Sequence, residues 1–134
     1  MSGILIDSDI VIELLRGRND EYRLGFESLL GGVGPLCFSA VTVAEIGQGA
    51  RLAEGAAISA LFGFMICMPA DCGVAEEAGK ILNRFRKSHA LGLGDALIAA
   101  TAIRSDLVLW TRNRKHYPDE RLRFLEGSAR PTPS

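Results

Sequence analysis

The chain has 134 residues, 48% of them hydrophobic and 23% charged, with a formal net charge of −1; this suits one globular domain able to bury a core without disulfides or structural metal. Near-neutral charge excludes a globally basic protein, so any attraction to nucleic acid or an acidic membrane must come from a local patch. The three cysteines, Cys37, Cys67 and Cys72, are odd in number and form no CxxC pair, which argues against a disulfide framework or a zinc site and makes them small core residues of a reduced compartment.

The first predicted element is a buried strand at residues 4–6, an apolar run stopped by Asp7 and Ser8, whose oxygens can cap the helix expected at 10–15. Asn19 or Asp20 caps a second helix through Leu30, with Tyr22, Phe26, Leu29 and Leu30 facing inward. A glycine-rich turn leads to a second strand at 36–39. Thr42 then opens a helix with Val43, Ile46 and Ala50 at helical spacing and Glu45 three residues on, as in a capping box. A helix at 56–62 precedes a third strand at 65–68, which Pro69 stops.

From Asp71 the residues Ala75, Ala78, Gly79, Leu82 and Phe85 mark one face of a long amphipathic helix that ends in the basic run Arg84, Arg86, Lys87 and His89. The helix at 96–103 is apolar on every side, so Asp95 at its start is the only charge on a central buried element. A fourth strand covers 107–111 and a last edge strand 122–125. Residues 1–126 form one domain and residues 127–134, with two prolines, a frayed tail. The uncharged stretch 55–70 is 16 residues long, short of the ~18 that a membrane span needs. With no targeting pattern at the N-terminus either, the expectation is a soluble cytoplasmic protein with no membrane partner.

Three acids are expected on one rim. Asp7 stands at the carboxyl edge of the first strand, where open α/β sheets bind ligands. Glu45 belongs to the helix that begins where the second strand ends. About ten helical residues at ~1.5 Å each match five strand residues at ~3.3 Å, which returns the start of the 96–103 helix, and Asp95 with it, to the same edge. Singly, each acid has a structural role: Asp7 and Ser8 as caps, Asp95 as a partner of its own helix dipole, Glu45 in a capping box. Together they repel unless a cation or shared proton intervenes, and hard oxygen ligands suit Mg²⁺ or Mn²⁺. The matching chemistry is metal-assisted attack of water on a phosphodiester.

These segments give the chain a family resemblance. Leu5-Ile6-Asp7-Ser8, Ser39-Ala40-Val41-Thr42-Val43-Ala44-Glu45-Ile46, Leu93-Gly94-Asp95-Ala96-Leu97-Ile98-Ala99-Ala100-Thr101-Ala102 and Leu109-Trp110-Thr111-Arg112-Asn113-Arg114-Lys115-His116-Tyr117 resemble, in this order, the PIN-domain ribonucleases, and among them the VapC-type toxins of type II toxin–antitoxin pairs. The resemblance implies a PIN-like three-layer α/β fold: a central, mostly parallel sheet of about five strands flanked by helices, with the first and fourth strands adjacent. It implies Asp7, Glu45 and Asp95 as catalytic and metal-site acids for Mg²⁺ or Mn²⁺, with structured RNA cut endonucleolytically. Its implied partners are a VapB-like antitoxin, whose tail covers the acidic pocket, and a second copy in a homodimer; the helices around Phe26 and Phe62 are candidate surfaces.

One departure from that pattern is Asn113, which stands where many PIN domains carry a fourth acid; it can orient a metal-bound water or a phosphate but adds no charge. Thr111 and Ser8 join it as supporting groups, and Asp119 lies too far along the loop to replace it. Arg112, Arg114 and Lys115 can hold RNA phosphates. His89 and His116 read as surface or packing residues. Tyr117 and Trp110 can stack on a base, although a Trp inside a strand reads first as core. Two other functions fit parts of the chain. In a haloacid-dehalogenase-like phosphatase, Asp7 would be the nucleophile and Asp9 the general acid, but Ala99 occupies the place of a needed acid. In a non-cleaving PIN-fold module the chain would hold RNA or a protein without cutting.

Overall fold

A computed structural model describes residues 3–32 and 34–126. The 127–134 tail expected from the sequence lies outside the described residues. Four strands, β1 (Ile4–Ile6), β2 (Leu36–Ser39), β3 (Ile66–Met68) and β4 (Val108–Trp110), form a sheet of order β3-β2-β1-β4. Every pairing is parallel. Strand β1 is central and touches both β2 (Leu5 opposite Cys37) and β4 (Leu5 opposite Leu109, Ile6 opposite Trp110). The chain order therefore reverses between β1 and β4, the kind of switch point at which α/β sheets bind ligands.

Among the described residues six α-helices cover the sheet: α1 (Ser8–Arg16), α2 (Asp20–Leu30), α3 (Ala40–Gly49), α4 (Gly55–Phe62), α5 (Cys72–His89) and α6 (Leu93–Arg104). Because side chains alternate across a strand, adjacent residues of β1 feed opposite layers. Leu5, with Cys37 and Leu109, packs beneath α5 and α6 against Val74, Ile81, Ile98 and Ala102. Ile6, with Leu36 and Trp110, packs beneath the other layer against Ile10, Val11, Phe26 and Ile46. Small residues let α6 lie close to its neighbours: Ala96, Ala99, Ala100 and Ala102 are all buried. Gly17 closes α1 with φ 63°, a left-handed conformation that glycine adopts without steric cost, and its amide bonds the Glu13 carbonyl.

Several sequence expectations shift. The predicted fifth strand at 122–125 is reduced to one bridge, Leu109 to Phe124, held by the Leu109 amide to the Arg123 carbonyl at 2.8 Å and the Leu125 amide to the Leu109 carbonyl at 2.9 Å; the Leu125 carbonyl accepts from the Arg114 guanidinium at 2.9 Å instead of from a strand. Helix α3 starts at Ala40 behind a Ser39 cap, so Thr42 is interior and the expected capping box does not form. Its buried positions are Thr42 and Ile46, while Val43 and Ala50 are exposed. On α5 the expected inner positions Ala78, Leu82 and Phe85 do pack on the core, but Val74 and Ile81 fill the rest of the face, and Ala75 and Gly79 are exposed. Leu30 is exposed. Cys37 is buried but Cys67 and Cys72 are not, since β3 is the sheet's edge and Cys72 opens a helix. Phe26 is core, and Phe62 stacks on Phe38 at 4.3 Å between ring centroids, so neither ring is a free docking surface.

Leu109 is fully buried between the layers, whereas Leu24 on α2 is 55% exposed. Leu109→Ala is expected to lower unfolding stability by about 2–5 kcal/mol, and Leu24→Ala to change it by less than about 0.5 kcal/mol, as read by urea denaturation.

Candidate active site

The candidate site lies where β1 and β4 end side by side. The Asp7 amide donates to the carbonyl of Trp110, the last residue of β4, at 2.9 Å, extending the parallel ladder one residue past β1 and placing the Asp7 side chain beside Thr111. Asp7 is the N-cap of α1: its Oδ1 accepts from the Ser8 amide at 2.7 Å. Its Oδ2 accepts from the Thr111 hydroxyl at 2.7 Å and the Tyr117 hydroxyl at 2.8 Å. Capping and site membership therefore coexist in one carboxylate, each using a different oxygen. Burial leaves Asp7 5% exposed and raises its pKa; Asp95 raises it further, against the lowering effect of the three donors.

Asp95 enters from the first turn of α6 and meets the same group, with the Tyr117 hydroxyl 3.4 Å from its Oδ1. Glu45 comes from α3 and is tied in by Ser8, whose hydroxyl donates to Glu45 Oε1 at 2.5 Å. That hydroxyl also lies 2.8 Å from the hydroxyl of buried Thr42. Ser8 has one proton and a carboxylate only accepts, so Thr42 donates to Ser8 and Ser8 to Glu45. Gly94 matters by absence: a Cβ there would stand 2.8 Å from Glu45 Oε2, so glycine leaves room for Glu45 beside the start of α6.

Two residues of the site were given other roles by the sequence reading. Tyr117, weighed only as a stacking group, is 4% exposed and has its hydroxyl between Asp7 and Asp95; burial first, and then the acids around it, push its pKa up. Asp9, weighed only as the general acid of the phosphatase alternative, accepts from the Arg112 amide at 3.1 Å and lies 3.4 Å from the Thr111 hydroxyl, while its Oδ1 is buried with no hydrogen-bond partner. Burial and then Asp7 raise its pKa from 3.8 to about 6. The signal for Asp9 was its spacing of two from Asp7. For Tyr117 it was a phenol set just before Pro118, following the loop from β4.

The remaining candidates are placed less directly. Thr111 is in the site, and its Oγ1 also accepts from the Asn113 amide at 3.1 Å, but the Asn113 side chain is on the exposed side of the turn. Arg112 forms a 2.7 Å ion pair with the well-buried Glu13 and lies over the Tyr22 ring. Arg114 pairs with Glu126 at 3.1 Å and lies over Phe124. Both arginines thus have carboxylate partners, and of the three proposed phosphate contacts Lys115 alone is exposed without an acidic partner among the described residues. Asp119 is buried and ion-paired with Arg121, which lowers its pKa. Trp110 is core, while His89 and His116 are exposed.

Hard oxygen donors dominate the rim, which suits a small divalent cation such as Mg²⁺ or Mn²⁺. The fit rests on three features: the space Gly94 leaves for Glu45, the unpartnered Asp9 oxygen, and two carboxylates facing one hydroxyl. Hydroxyls hold these acids apart here, and no three Asp, Glu, His or Cys side chains close around a single point among the described residues.

This α/β architecture is matched by a family model: the PIN-domain model covers residues 4–118. The chain belongs to the PIN-domain family. Among curated relatives it is 41% identical to ribonuclease VapC10 of Mycobacterium tuberculosis, over 86% of each chain. Among solved structures it resembles a chain of a toxin–antitoxin complex from Klebsiella pneumoniae, at 26% identity, TM-score 0.69 and coverage of 88% and 92% of the two chains. A chain of VapBC2 from Rickettsia felis, solved with a promoter DNA fragment, shares the fold with TM-score 0.78 at 18% identity, covering 91% and 96%. The family overturns the phosphatase alternative: the acid two residues after Asp7 serves the β4 turn.

Because folding raises the Asp9 pKa from 3.8 to about 6, the folded chain holds this proton more tightly than the unfolded one. Metal-free stability should therefore fall as pH rises through that window and stay level above it. Asp9→Asn removes the penalty. With chelator present, it is expected to be more stable than the parent by about 1–3 kcal/mol at pH 7, with no difference near pH 3.5, by thermal melts across pH.

Proposed function

We infer that the chain is a metal-dependent endoribonuclease acting as the toxin of a toxin–antitoxin pair. The observation that carries this reading is the meeting of Asp7 and Asp95 at one buried hydroxyl on the sheet's switch-point rim, with Glu45 tied to the same rim through Ser8. Its support from relatives is the name ribonuclease VapC10, carried by a chain 41% identical over nearly the same length.

Asp7 and Asp95, assisted by Glu45, would hold Mg²⁺ or Mn²⁺, which when bound supplies charge neutralisation for an RNA phosphodiester and lowers the pKa of a water. The chain's own groups prepare the site. Ser8 and Thr42 orient Glu45, and Thr111 and Tyr117 orient Asp7. The rim's negative charge would repel phosphate by itself, so substrate binding and metal binding are coupled. Lys115, at the exposed turn after β4, is the basic side chain best placed to meet an RNA backbone.

Partner binding follows the same reading. The Klebsiella neighbour is a toxin–antitoxin complex. Here an open cavity of about 230 Å³ lies between α1, α3 and α4, lined by Ile12, Leu15, Ile46 and Ile58 and flanked by Arg16 and Glu54. It suits an amphipathic segment of a VapB-like antitoxin. A homodimer is supported by exposed Val43 on α3 and Leu93 on α6, helices in contact with each other.

Purified protein is expected to cut total cellular RNA with Mg²⁺ or Mn²⁺ and not with chelator, and Asp7→Asn or Asp95→Asn to reduce cleavage at least ~100-fold with the circular dichroism spectrum unchanged. Full cleavage by either variant would refute the site, and RNA binding without cleavage by the parent would identify a non-cleaving module. Ile58→Glu, on the cavity wall, is expected to cleave RNA normally yet escape inhibition by the cognate antitoxin in a growth-rescue assay. Undiminished rescue would move the partner surface elsewhere.

A further inference from the structure

Tyr117 has an unusual position for a tyrosine. Its ring belongs to the larger core cluster with Leu91, Leu109 and Leu122, yet its hydroxyl emerges among carboxylates, 2.8 Å from Asp7 Oδ2 and 3.4 Å from Asp95 Oδ1. A phenol carries one proton, and the shorter contact takes it, so Tyr117 donates to Asp7. Asp95 then faces the phenol oxygen and is kept from closing on Asp7.

The lone pairs of Asp7 can be counted. A carboxylate offers about four acceptor sites. On Oδ2, Thr111 at 2.7 Å and Tyr117 at 2.8 Å take both; on Oδ1, the Ser8 amide at 2.7 Å takes one. A single acceptor direction is left, on Oδ1. We propose that Tyr117 is a positioning residue: its buried hydroxyl spaces Asp7 from Asp95 and, together with Thr111, saturates one oxygen of Asp7 so that the other is presented to a divalent cation. This rests on the metal-dependent reading above and adds to it a residue that touches neither metal nor RNA. Outer hydrogen-bond partners of this kind typically govern metal affinity by about 10–100-fold.

The test is Mn²⁺ titration by calorimetry on the parent, Tyr117→Phe, Thr111→Val and the double variant, with metal-free melts and RNA cleavage alongside. Tyr117→Phe keeps the buried ring. Expected is Mn²⁺ affinity about 10–100-fold weaker in each single variant, with a double variant less affected than the product of the two, because both donors act on one oxygen. A merely structural role would lower the melting temperature and leave Mn²⁺ affinity of the folded protein where it was. Parent-like Mn²⁺ affinity in folded Tyr117→Phe overturns the proposal while leaving the nuclease reading intact. A parent that neither binds Mn²⁺ nor cleaves RNA overturns both.

Discussion

The structure depends on keeping one carboxylate, Asp7, buried at the end of the central strand. Burying a charge is costly unless hydrogen bonds compensate for lost water. Here one donor is local, the Ser8 amide at the start of α1, and two come from more than a hundred residues away, the Thr111 hydroxyl just past β4 and the Tyr117 hydroxyl beyond the loop that follows. Neither hydroxyl reaches Asp7 unless β1 and β4 are adjacent and in register. The parallel pairing of Ile6 with Trp110, continued by the Asp7 amide to the Trp110 carbonyl, is therefore both a fold contact and the foundation of the site.

The same logic extends outward. Asp9 accepts from the Arg112 amide, and the Arg112 side chain turns back to Glu13 on α1, so the β4 turn is fastened to α1 at both backbone and side chain. Arg114 is fastened to the segment after the β4 bridge through Glu126 and the Leu125 carbonyl. These arginines, which in sequence look like a basic stripe, are both paired with carboxylates of the same chain, Arg112 with buried Glu13 and Arg114 with exposed Glu126. What remains at the rim is net negative, a surface suited to recruiting a cation before it can approach a phosphate.

Much of this was legible in the sequence because the acids sit at the ends of apolar runs, where strand length and helix rise fix which edge they occupy. Asp7, Glu45 and Asp95 could be placed on one rim by that arithmetic alone. The sheet's order came from resemblance, since three-residue strands carry no information about their neighbours. The inner face of α5 was read correctly at Ala78, Leu82 and Phe85 but not at Ala75 and Gly79, small residues that fit either a core or a surface; only tertiary packing reveals that Val74 and Ile81 take the interior beside them. The start of α3 was misjudged because Ser39 and Thr42 are both good caps, and the choice is made by Ser8, more than thirty residues away in sequence. Tyr117 and Asp9 were missed for the same reason: their importance lies in contacts made across about a hundred residues, beyond any local pattern.

The role of the acidic rim is tested most directly by anomalous X-ray diffraction from crystals soaked in Mn²⁺. The structure leads us to expect an anomalous peak at the β1/β4 switch point, coordinated by carboxylate oxygens of Asp7 and Asp95. Manganese bound only elsewhere, or absent from the rim in a lattice that leaves it open to solvent, would contradict the assignment of these carboxylates as metal ligands.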